Sequence, residues 1–105
     1  MAEPYTVRVL ASEDETFEFT EKFAGFDFDS YALEYAVSTR AGSQILRLTE
    51  DDGITVNAET ETVTFNAGDG ALPCGNYEHA CRKVLADGRS AIFFAGPVTI
   101  TKGPF

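Results

Sequence analysis

Three side chains in this chain have the chemistry of a site: one imidazole, His79, and two thiols, Cys74 and Cys81. His79 and Cys81 stand two residues apart, so on a β-strand they share a face, as a thiol nucleophile and its base would. Tyr77 shares that face as well. All three then point into a core, where a thiol is a small hydrophobe with a raised pKa and an imidazole fills a place suited to an aromatic residue. The reading therefore expects no catalytic residue. Cys74 and Cys81 have opposite parity. On one strand they would lie more than ~20 Å apart, against the ~7 Å that a disulfide allows between Cα atoms. Two unbridged thiols fit a reducing compartment.

Metal and phosphate chemistry fare no better. Asp27-Phe28-Asp29 and Asp51-Asp52-Gly53 cluster oxygens, but neither continues into a calcium-loop pattern or a full ligand cage. Gly68-Asp69-Gly70 is acidic where a phosphate loop needs lysine. No metal or other cofactor is expected. Net charge is −9, from 17 acids against 8 bases, which repels nucleic-acid backbones. Glu13, Asp14, Glu15, Glu18, Glu21, Asp51 and Asp52 read as a solvated surface, or alternatively as a face for a basic partner.

The elements that must position these residues are strands. Hydrophobic residues make up 44% of the 105, with nine Phe and four Tyr, enough for the core of one domain over residues 1–105. The wholly apolar runs, such as Ala91–Ala95, are too short to span a membrane. The opening MAEPYTVRVL lacks the basic-then-apolar order of a secretory signal, so a product made in the cytoplasm is expected.

Alternation with a period of two predicts strands at Tyr5–Leu10, Thr16–Phe23, Tyr31–Ser38, Gln44–Thr49, Ile54–Val56 and Thr62–Phe65. Ala24–Ser30 connects two of them, with Phe26 and Phe28 tucked beneath the edge, and Asn66–Pro73 is a Gly-rich connection. The stretch Gly75–Thr101 reads as a hairpin closed by a two-residue type I′ turn at Asp87-Gly88. Tyr77, His79 and Cys81 face inward on its first arm. Pro97 is expected to break the second arm, so that Ser90–Ala95 and Pro97–Thr101 are separate strands and Val98–Thr101 pairs elsewhere, with the first strand as a candidate. Lys102–Phe105 reads as a tail. Seven to nine short strands without a helix give an all-β fold, an antiparallel β-sandwich with immunoglobulin-like connections; a small barrel is the alternative. The lack of Trp and of a Cys…Trp…Cys spacing excludes an antibody-type domain.

Four motifs follow one another in the chain: Asp52-Gly53-Ile54, Thr62-Val63-Thr64, Leu72-Pro73-Cys74-Gly75-Asn76-Tyr77 and Asp87-Gly88-Arg89. In that order they resemble the small β-sandwich domains of tailed-bacteriophage structural proteins, most of all the N-terminal domains of upper-baseplate and tail-fibre-attachment proteins. About half the chain carries the resemblance. It departs from the pattern in a shorter connection before Leu72, and in His79 and Cys81 standing where larger apolar residues are expected. The resemblance implies a non-enzymatic virion protein, present in many copies or as a homo-oligomer, with other virion proteins as partners and neither nucleic acid nor membrane bound. The alternative is a soluble binding module that takes a small ligand, glycan or peptide by its loops or a sheet edge.

Overall fold

A computed structural model describes residues 5–13, 15–26, 28, 31–69 and 72–102. Nine strands follow one another: β1 (Tyr5–Thr6), β2 (Val9–Ser12), β3 (Thr16–Lys22), β4 (Ala32–Thr39), β5 (Gln44–Thr49), β6 (Ile54–Asn57), β7 (Thr62–Asp69), β8 (Gly75–Val84) and β9 (Ser90–Thr101). They form a sandwich. The larger sheet has the order β1-β9-β8-β4-β5, with β2 also on β9, and the smaller has the order β3-β7-β6. No helix occurs among the described residues. The carboxylates of Asp14, Asp27 and Asp29, with Ser30, Gly70 and tail positions 103–105, lie outside the described residues.

Period-two alternation decides most of the core. Leu33, Tyr35 and Val37 of β4 face Phe17 of β3 and Val63 and Phe65 of β7, all buried. Phe19 stacks on Phe65 with ring centroids 4.8 Å apart. Burying one such side chain contributes about 1.5–3 kcal/mol. Phe26 and Phe28 pack against this core from the β3–β4 connection, as the sequence predicts.

Beyond shifts of a residue at strand ends, four features differ from the sequence reading. β7 runs through Asn66–Asp69, because Glu18 and Thr16 on β3 pair with Asn66 and Asp69 across a bulge. The hairpin turn is not type I′. Gly88 has a φ of 91°, but Asp87 keeps an ordinary negative φ. The Gly88 amide donates to the Leu85 carbonyl at 2.9 Å and the Leu85 amide to that of Arg89 at 2.8 Å. This is the longer loop that closes on a left-handed glycine.

β9 is uninterrupted from Ser90 to Thr101, with Pro97 inside it, so the predicted break is wrong. β9 pairs with β8 on both sides of Pro97, from Ser90 to Ile100, and Val98–Thr101 pairs with β2 on its other side. Finally, the first predicted strand is two pieces, β1 and β2, and both run parallel to β9 rather than antiparallel. The physical reason for these last two differences is shared and lies at Val7.

A bulge in the β8–β9 pairing completes the core. Cys81 opposes Phe94 while Arg82 opposes Ile92, so Phe93 is the extra residue. Phe93 and Phe94 are therefore both fully buried, although strict alternation would expose one of them.

Candidate functional site

β8 carries His79 inward between the sheets, 3% exposed. Its Nε2 lies 2.6 Å from the Val7 carbonyl oxygen and its Nδ1 2.7 Å from the Tyr35 hydroxyl. A carbonyl can only accept, so Nε2 carries the proton; Nδ1 then accepts from the tyrosine O–H. The neutral imidazole satisfies both neighbours.

This arrangement explains Pro97. The Val7 amide donates to the Ala95 carbonyl at 3.0 Å. In a parallel ladder the Val7 carbonyl would next accept from the amide of residue 97. Proline has no such donor. The carbonyl turns into the core instead, and the His79 ring supplies the missing proton. It occupies the place of a side chain at 96: a methyl on Gly96 would sit 2.0 Å from the Val7 oxygen. Proline is tolerated mid-strand because its missing N–H faces this detour.

Burial lowers the His79 pKa below its ordinary 6.5, and the Val7 bond only partly offsets it. Burial also raises the Tyr35 hydroxyl. The Cys81 thiol is pushed up to about 12, chiefly by burial and then by the Glu50 carboxylate. A protonated thiol beside an imidazole with both nitrogens engaged cannot act as a nucleophile–base pair. The same two bonds leave His79 no lone pair for a metal. Among the described residues no group of three or more His, Cys, Asp or Glu side chains could hold one. Cys74 is exposed and Cys81 is buried, both as free thiols.

The outer face of the larger sheet is the other candidate. Alternation points Ala36, Ala80 and Ala95 outward, and the register sets them side by side, Ala36 opposite Ala80 and Ala80 opposite Ala95. Two open depressions, about 180 and 500 Å³, share Ala36 and Ala80 and together cross β4, β8 and β9. Glu34 walls the first: it accepts from Arg82 Nε at 2.7 Å and lies 3.3 Å from Arg47 Nη2. The Arg82 hydrogen bond holds the Glu34 carboxyl below its ordinary value. Arg40 and Glu78 border the second depression. Leu10, Ile45 and Ile92, the large hydrophobics left exposed among the described residues, all belong to strands of this sheet. The sequence pattern turns Tyr77, His79 and Cys81 inward on this arm but does not show the trough, which needs three strands from separate parts of the chain.

No family model matches the chain, and no curated protein matches its sequence. Among solved structures, the crystal structure of CopC from Methylosinus trichosporium OB3b matches 97% of this chain and 89% of its own, with a TM-score of 0.58 and 16% identity. The chain is similar in fold to CopC. That likeness supports the β-sandwich and carries the fold alone. It also corrects the expected function. The virion structural role rested on an order of turn motifs, and the fold those turns build is one that CopC shares, so the motifs do not mark a virion protein.

Proposed function

We propose that the chain is a non-catalytic binding module that takes an extended peptide segment of a partner protein across the outer face of its larger sheet. The trough over Ala36, Ala80 and Ala95 carries this reading. Small side chains let a backbone approach closely, and the exposed Leu10, Ile45 and Ile92 give apolar anchorage on the same sheet. Charge selects the occupant. Three arginines, Arg40, Arg47 and Arg82, border the trough against two glutamates, Glu34 and Glu78, in a chain of net charge −9. It is a basic border on an acidic molecule, suited to a segment with carboxylates.

Strand addition at an edge is the less favoured route. The β3 edge carries Glu18, Glu21 and Lys22 beside a bulge, β5 has a register shift near its start, and β6 is four residues long. Such features blunt an edge. A library of ten-residue peptides, graded from neutral to acidic, tests the proposal, with the best binder titrated into isotope-labelled protein. Amide shifts should centre on Ala36, Ala80 and Ala95, and Ala80→Glu should weaken binding at least tenfold. A library without binders, or shifts confined to loops and edges, would overturn it.

A further inference from the structure

The N-terminal strand is held unlike any other in the fold. It is broken into pieces of two and four residues, and it borders only β9, whereas β8 runs ten residues between two neighbours. At the break its Val7 carbonyl has no ladder donor, because residue 97 is proline, and its partner there is a side chain 72 residues away. Val7 and Val9 are buried, so this thin segment is also the cover over one flank of the core.

We propose that residues 5–12 form a detachable strap, closed over a neutral His79 and released in mild acid. The imidazole meets Tyr35 from β4, Phe19 from β3, Phe94 from β9 and the Val7 carbonyl from the strap. Tyr35 is the titratable group among these, and burial keeps it a hydroxyl. Cys81, on the same strand as His79, stays a thiol. A proton added at Nδ1 removes the acceptor of the Tyr35 O–H and sets two N–H donors and a charge in an aromatic enclosure. Water relieves that charge, and a way in lies past the strap, an edge held by β9 alone whose Val7 carbonyl is bonded to the ring itself. His79 is the chain's one histidine, the side-chain type whose ordinary pKa lies in the mildly acidic range. Opening uncovers the backbone edge of β9.

Amide hydrogen exchange on the full chain, corrected for the intrinsic rate, tests this at pH 7.5 and pH 5.2. The amides of Val7 in the strap and of Glu13 just past its end, bonded to Ala95 and Thr101, should open about tenfold more per pH unit below about 6.5, while β4 and β8 stay protected. Leu10 and Thr99 are register partners. In a Cys74→Ser background, an oxidised Leu10→Cys/Thr99→Cys crosslink should suppress the acid opening, and reductant should restore it. His79→Phe should flatten the pH dependence. Three results would overturn the proposal: strap and β4–β8 amides failing together at one pH, strap protection unchanged between the two pH values, or a crosslinked strap that opens as freely as the unlinked one.

Discussion

His79 Nε2 and the Val7 carbonyl oxygen lie 2.6 Å apart across the core, and this bond closes the one gap in the sheet ladder that Pro97 opens. A side chain thereby does the work of a backbone amide. Several measurable consequences depend on it.

Replacing His79 with phenylalanine keeps the ring and removes both hydrogen bonds. The Tyr35 hydroxyl and the Val7 carbonyl are left buried without partners, at about 1–3 kcal/mol each, so urea unfolding should show a loss of roughly 2–6 kcal/mol. Pro97→Ala returns an amide to the ladder. Combined with His79→Phe it should recover part of the loss, a coupling that a double-mutant cycle reads directly. Strictly additive effects would show that the two positions are independent.

The sign of the pH dependence follows from the neutral ring. The unfolded chain protonates His79 near about 6.5, and the folded state resists protonation because burial lowers that pKa. The stability from the neutral ring is therefore fully present above about pH 6.5 and declines as pH falls below it, by about 1.4 kcal/mol per unit until the folded ring itself protonates. Urea midpoints between pH 7.5 and 5 should fall in the wild type and stay flat in His79→Phe.

Gly96→Ala tests the close approach. The added methyl would meet the Val7 oxygen at 2.0 Å, backbone against side chain, so the strap must shift. A loss of about 1–3 kcal/mol is expected, with the amides of residues 5–12 losing protection first. Wild-type stability in this variant would mean that the approach is looser than the structure shows.

Two neighbours on β9 test the bulge. Phe93 and Phe94 are both fully buried, so each truncation to alanine should cost about 3–5 kcal/mol. Ile92 is 49% exposed, and Ile92→Ala should stay within about 0.5 kcal/mol.

Thiol titration separates the cysteines. Cys74 is exposed and should react with a disulfide reagent in the native protein at pH 8, whereas Cys81 is buried with its pKa pushed up to about 12 and should react only after unfolding. Two fast thiols in the native state would contradict the burial of Cys81.

Much of the fold was legible because strand alternation is local. Leu33, Tyr35 and Val37 announce their inward face within eight residues, and β5 falls on Gln44–Thr49 as the pattern predicts. The glycine and aspartate of the hairpin mark a turn correctly, but not its type. Phe93 and Phe94 escape the pattern because a bulge is a property of two paired strands. The trough over Ala36, Ala80 and Ala95 escapes it for a similar reason: small outward residues are unremarkable until three strands bring them level.

By itself, the sequence determined an all-β sandwich, the order of most strands, and a hairpin that turns Tyr77, His79 and Cys81 inward. Those follow from side-chain period and turn chemistry, which act over a few residues. Tertiary structure alone decided that the first strand runs parallel to the last, that Pro97 sits within a continuous strand, and that His79 is a hydrogen-bond donor to Val7 rather than only a ring in the core. A buried carbonyl must find a donor somewhere. Which residue supplies it depends on what the closed sheet brings within 3 Å, and no local pattern encodes that.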